Sequence, residues 1–193
     1  MKKKKLTAKE LVKKGVPYIL IPGLLAALTL GLQGATLQKI KDYYQNKQLF
    51  PSSGYVSQIE DGDTFVLKSG IKVRLIGIDA PDRGQKNFDL ARGGLAGMIN
   101  EKKVFLEYDR YQDDKYGRIL AWVWVNCETT PHFLPSDYMH KSGSESMPGL
   151  TENPNGCKKG KLINEELVKS KLAVPVVYKD RGELKYEKRL QNP

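Results

Sequence analysis

The 193-residue sequence is poor in the residues from which many enzyme sites are built. It has two histidines and two cysteines. Both histidines, His132 and His140, fall in a loop-like stretch rich in Ser, Gly, Pro and Asn, so no Ser/His/Asp nucleophile arrangement competes for attention. No Gly-rich phosphate loop of the Walker type is present. Internal repeats are absent, and the only low-complexity stretch is a lysine-rich start. Charge of one sign is also missing from most of the chain. The net charge of +10 looks like a nucleic-acid signal, yet seven lysines against one glutamate crowd into the first 14 residues. Residues 51–193 carry 22 basic and 20 acidic side chains, so only particular residues, not bulk charge, can argue for a polyanionic partner. A chain 40% hydrophobic is too apolar for overall disorder, and this one is too short for a transporter.

One long apolar run is present. Gly15–Leu37 holds no charged residue over 23 positions, enough to span about 34 Å as a helix against a hydrocarbon core of roughly 30 Å. Pro17 and Pro22 lie near its start, where a membrane helix tolerates them best. The lysine excess precedes the run, which by the positive-inside rule keeps 1–14 as a cytoplasmic tail and exports the rest. The expectation is a single-pass signal anchor at 15–37 in contact with the lipid bilayer, followed by a stalk at 38–53. The alternative is a cleaved signal peptide and a secreted product, although Gln33 is a poor residue for the −3 position of a site near Gly34-Ala35.

From Tyr55 the pattern becomes one of short strands. Tyr55–Ile59, Thr64–Leu67 and Ile71–Ile78 are joined by Asp-Gly-Asp and Ser-Gly turns, which makes a meander. Residues 87–100 have mostly helical spacing, weakened by Gly93, Gly94 and Gly97. Val104–Tyr108 and Ile119–Val125 are two further strands, Leu162–Leu172 is a helix candidate, and Gly182–Leu190 reads as a short, highly charged terminal helix. The expected fold is α+β and mainly β: a five-stranded Greek-key barrel of the OB-fold kind with about three helices, preceded by the membrane helix.

Three clusters carry chemistry: Asp61-Gly62-Asp63-Thr64, Arg74-Leu75-Ile76-Gly77-Ile78-Asp79-Ala80-Pro81-Asp82, and Asp113-Asp114-Lys115-Tyr116-Gly117-Arg118. Singly, each has a bland reading as a hairpin turn, a strand exit or a solvated loop. Together, Asp63, Asp79 and Asp82 offer the hard oxygen ligands that Ca²⁺ or Mg²⁺ requires. Arg74 and Arg118 offer two guanidinium forks suited to a phosphate and its developing charge. Carboxylates, a cation and paired arginines make a phosphodiester hydrolysis site.

In this order the three motifs resemble the thermonuclease (staphylococcal nuclease-like) family over roughly Tyr55–Val125 and Lys161–Tyr178. Leu162-Ile163-Asn164-Glu165-Glu166-Leu167-Val168 is similar to that family's later helix. The resemblance implies an OB-fold barrel and a Ca²⁺-dependent nuclease acting on DNA and RNA. The domain is read at 54–180, with an insertion at 126–160 that the resemblance does not cover and a charged helix or tail at 181–193, and nothing in the sequence suggests an assembly beyond a monomer. By position the resemblance implies that Asp63, Asp79 and the backbone carbonyl of Ala80 bind Ca²⁺, with Asp61 beside the metal. Arg74 and Arg118 clamp the scissile phosphate, and Asp82 stands where the family has its catalytic glutamate. Lys115 and Tyr116 contact the neighbouring phosphate, Tyr178 aligns with a stacking tyrosine across a one-residue gap, and Glu107 falls on a structural glutamate. Asp82 is one methylene short of that glutamate, about 1.5 Å less reach. The alternative reading is therefore a catalytically weak or inactive module that binds nucleic acid or protein. In the 126–160 insertion an even cysteine pair favours a Cys127–Cys157 disulfide in an exported domain. A zinc site is the sharper alternative, but C-x4-H-x7-H-x16-C departs from the usual zinc spacing.

Overall fold

A computed structural model describes residues 50–134, 147–178 and 182–193. The expected tail at 1–14, membrane helix at 15–37 and most of the stalk lie outside the described residues. Among the described residues no helix is long and apolar enough to cross a membrane.

The first strand sets the barrel wall, and a bulge between Val56 and Gln58 spaces its two buried residues three apart. In β1 (Ser53–Ile59) Val56 and Ile59 point inward, and β1 pairs antiparallel with β2 (Thr64–Leu67). Gly70, at φ 86°, closes the turn to β3 (Lys72–Leu75), which pairs with β2. A two-residue strand, β4 (Ile78–Asp79), follows, and then α1 (Phe88–Ile99). β5 (Lys103–Glu107) returns to pair with β1, and β6 (Ile119–Val125) pairs with β5. A parallel β3–β6 pairing then closes the cylinder, so five strands in the order β3-β2-β1-β5-β6 form a barrel of the OB-fold kind, as the strand count leads one to expect. β7 (Lys161–Leu162) extends β6, and β8 (Val174–Pro175) pairs with β4.

Ala91, Leu95 and Ile99, spaced four apart on α1, are fully buried against this barrel. That stripe outweighs the three glycines, and Gly94 has a reason of its own: a Cβ there would collide with the side chain of Leu172. α2 is shorter than its sequence pattern, running Ile163–Lys169, because Ser170 and the left-handed Lys171 (φ 56°) end it.

The stretch after residue 182 holds a short charged helix, narrower than its sequence pattern and more buried than its charge suggests. Only Glu187–Gln191 is helical (α3), and Leu184, Lys185, Tyr186 and Leu190 are buried. Tyr186 packs edge-on against both Trp122 and Trp124, at 5.3 and 5.5 Å between ring centres. Lys185, wholly buried, donates to Glu107 Oε1 (3.1 Å) and to the carbonyls of Tyr108 (2.8 Å) and Leu134 (2.9 Å). Glu107 Oε2 accepts from Trp124 Nε1 and Tyr186 OH, both at 3.0 Å. Burial pushes the Glu107 carboxyl upward, and the Lys185 ammonium works against that rise. The structural reading of Glu107 is thus the one the fold supports, not a solvated strand carboxylate. Residues Phe50–Pro193 together make one unit around this core.

The described parts of the 126–160 insertion are tied rather than loose. Cys127 and Cys157 form a disulfide, so no zinc site uses these thiols. Asn153 Nδ2 donates to the carbonyls of Cys157, Lys158 and Gly160.

Candidate active site

Asp61, Gly62 and Asp63 form the turn between β1 and β2. The Asp61 carboxylate accepts the Asp63 N–H at 3.1 Å, an Asx turn that sets the direction of both side chains. Gly62 is required here, since a Cβ would lie 2.7 Å from the Cβ atoms of both Ala80 and Ala91. The turn is therefore pressed between α1 and the segment leaving β4.

Asp63 is the buried centre of the site, 5% exposed. Its Oδ1 accepts from Thr64 Oγ1 and its Oδ2 from the backbone N–H of Ala80, each at 3.0 Å. Arg74, on β3, pairs through Nη1 with Asp63 and through Nη2 with Asp79 Oδ1 at 2.8 Å. Burial disfavours the Arg74 charge, but the two carboxylates outweigh it and hold its pKa above the ordinary arginine value. Burial, and then the neighbouring Asp63 charge, push the Asp61 carboxyl up.

Arg118 stands immediately before β6. Its Nε and Nη2 both donate to Asp114 Oδ2 at 2.7 Å, and Nη1 reaches Thr64 Oγ1 at 3.4 Å. Thr64 therefore links Asp63 to Arg118. Burial works against the Asp114 charge, yet hydrogen bonds from Arg118 and from the Tyr116 and Arg118 N–H groups hold its carboxyl below the usual range.

Asp82 lies in the segment between β4 and α1, its N–H capped by Gln85 Oε1 at 3.0 Å. Together with Asp61, Arg83, Phe88 and Arg92 it lines a cleft of about 430 Å³. Tyr116 stands 70% exposed, with Lys115 Nζ 5.0 Å and the Arg118 guanidinium 5.3 Å from its ring centre. Tyr178 follows β8 and packs against the core. The described residues of the 126–160 insertion line a different cavity, about 380 Å³, with Glu107 and Tyr186; none of Asp63, Arg74, Asp79, Asp82 or Arg118 belongs to its lining.

The structure brings Asp63, Arg74 and Asp79 into direct contact and links Arg118 to them through Thr64, while Asp82 lines the neighbouring cleft. Ala80 enters through its N–H. Thr64 and Asp114 stand inside the quoted motifs but received no role of their own from the sequence, and Gln85 was not singled out at all. The signal for Asp114 was an aspartate four residues before an arginine in a tight turn; Gln85 has no comparable signal.

Among the described residues no three Asp, Glu, His or Cys side chains are grouped closely enough to enclose a metal ion. What is present is a pair of hard oxygen donors, Asp63 and Asp79, already converging on one cation, the Arg74 guanidinium, with Asp61 adding negative charge. That donor set fits a hard divalent ion that completes its shell with backbone oxygen and water.

The fold and site thus define a small OB-fold protein whose barrel rim carries carboxylates and two arginine forks. The profile of the family described as "Staphylococcal nuclease homologue" matches residues 72–192, and the chain belongs to that family. It is 45% identical over 78 residues to "Protein ParB" of Escherichia coli, covering 39% of this chain and 43% of that protein. It is 40% identical over 82 residues to "Thermonuclease" of Staphylococcus intermedius, covering 38% and 49%. With "Micrococcal nuclease" of Shigella flexneri the figures are 39% over 75 residues, 37% and 42%. The chain spans just under half the length of these curated relatives.

Proposed function

We propose that the protein is a Ca²⁺-dependent nuclease that hydrolyses phosphodiester bonds of DNA and RNA. The observation that carries this is the Asp79–Arg74–Asp63–Thr64–Arg118 chain of contacts, which places two guanidinium groups on either side of a buried carboxylate. Asp63, Asp79 and the Ala80 carbonyl would hold the ion. Bound there, Ca²⁺ supplies Lewis-acid polarisation of a phosphoryl oxygen.

The remaining chemistry belongs to the chain. Arg74 and Arg118 bind the non-bridging oxygens and stabilise the charge that builds in the transition state. Asp114 keeps the Arg118 fork aimed while leaving Nη1 for the phosphate. Asp82 accepts a proton from the attacking water; the new O–P bond forms in line as the P–O5′ bond breaks, and the departing 5′-oxygen takes a proton from solvent. Lys115 and Tyr116 would contact the adjacent phosphate, and Tyr178 a base. The relatives named as nucleases support this reading.

The Cys127–Cys157 disulfide and the lysine excess before residues 15–37 both favour an exported domain, held at the membrane by that segment and acting as a monomer. The short reach of Asp82 favours the second reading, a weak or binding-only module. Incubating the full chain with single-stranded DNA and RNA oligomers, in Ca²⁺, Mg²⁺ or EDTA, separates the two. Cleavage that needs Ca²⁺ and disappears in Arg118→Ala is expected; a folded protein that cuts nothing under any condition would overturn the nuclease reading.

A further inference from the structure

Several lysines of the described residues stand beside carboxylates. Lys72, Lys161, Lys169 and Lys188 pair with Glu60, Glu166, Glu165 and Glu183. Three lie over aromatic rings instead: Lys115 on Tyr116, Lys68 on Tyr55 and Lys103 on Phe105. The first belongs to the candidate site. The other two sit on the outside of the barrel, toward the end of β1 away from Asp61–Asp63.

Strand register makes them one surface. Tyr55 on β1 is directly opposite Lys103 on β5, and the Lys68 N–H donates to the Tyr55 carbonyl at 2.8 Å across the other edge of β1. Val56, the next residue, is fully buried, so Tyr55 projects outward and is 53% exposed. Lys68 Nζ lies 5.7 Å from the centre of the Tyr55 ring, and Lys103 Nζ lies 5.0 Å from that of Phe105. Phe105 is opposite Ser53 on the same outer face. Neither Lys68 nor Lys103 has a carboxylate within ion-pair distance among the described residues. Four residues of strand, about 13 Å, separate Tyr55 from Ile59 at the threshold of the candidate site.

An exposed aromatic ring flanked across three strands by two ammonium groups offers a face for a base and counter-charges for the phosphates beside it. Phosphate charge complements the lysines; the ring adds a preference for bases over a bare anionic surface. We propose that the Lys68–Tyr55–Lys103 row is a second contact surface for single-stranded nucleic acid, holding long substrates away from the hydrolytic site. The inference rests on the nucleic-acid reading above.

The test measures binding of the full chain to a fluorescent 30-nucleotide single strand in EDTA, over a range of salt. A nitrophenyl phosphodiester of thymidine, too small to reach the row, is assayed in parallel with Ca²⁺. Lys68→Gln/Lys103→Gln should lower the slope of log K against log salt by about 1.4, two phosphate contacts at roughly 0.7 each. Tyr55→Ala should weaken binding at least fivefold, and a melting curve shows whether that variant stays folded. Both should leave turnover of the nitrophenyl substrate unchanged. Unchanged affinity and slope in the double-lysine variant would overturn the proposal. So would loss of binding to vesicles of anionic phospholipid with nucleic-acid binding intact, since the row would then be a lipid contact. A wild type that binds the strand yet cuts neither substrate would sink the hydrolytic reading and leave this surface standing.

Discussion

Arg118 reaches the site already anchored, with two of its nitrogens on Asp114 and a third near Thr64. Truncation to Arg118→Ala should lower kcat by about 10²–10³, the usual cost of one transition-state donor, with a smaller change in KM. Asp114→Asn keeps the volume but loses the charge that orients the fork, so steady-state kinetics should show a loss smaller than that of Arg118→Ala. Asp82→Glu regains a methylene of reach and should raise kcat, while Asp82→Asn should lower it by about 10² or more. A rate unchanged in both would remove Asp82 from the reaction. At this scale the sequence was most legible where a side chain sits in or beside a short strand marked by its own motif, as for Asp63 in the turn before β2 and Arg74 on β3. It was least legible for Thr64 and Gln85, whose partners depend on how two turns meet.

Among the elements, the helix α1 could be read because its buried stripe needs only local spacing. In the segment after residue 182 the short helix could be read but its burial could not, because Lys185 is buried only if Glu107, 78 residues earlier, stands opposite with its carboxylate. A lysine in a charged stretch carries no local sign of such a partner. Lys185→Met should therefore cost about 3–5 kcal/mol by leaving Glu107 charged and unpaired, whereas Glu107→Gln/Lys185→Met should recover much of that loss in urea melts. The disulfide acts on a different element. It closes a 30-residue separation, and Cys157→Ser should lower stability by about 3–4 kcal/mol in the chain-entropy picture, read from the urea midpoint.

For the whole molecule, acid sensitivity follows from its ion pairs. Glu165 sits under Arg189 Nε (2.9 Å) and Lys169 Nζ (2.9 Å). Burial disfavours the Glu165 charge, but Arg189 and Lys169 hold its carboxyl below the usual glutamate value. A carboxylate depressed in the folded state stabilises above its unfolded pKa, near 4.3 for glutamate, and that stabilisation is lost as pH falls through the folded value. Asp114 adds to the same trend. The melting temperature should fall steeply below about pH 4, and Glu165→Gln should start lower at pH 7 and fall less.

The barrel is closed by strands that lie far apart in the chain, β3 against β6, and its core is completed by residues 184–190. Such closure is slow to nucleate, because long loops must be ordered before the pairing rewards them. A chain emerging from a ribosome or through a membrane channel thus keeps Trp122, Trp124 and the Glu107 carboxylate without their covering until Lys185 and Tyr186 arrive. Until then the arginines and carboxylates of the rim have no rigid wall to stand on. Any catalytic competence of the rim would then switch on late, once residues 184–190 are in place, and not strand by strand as the barrel forms.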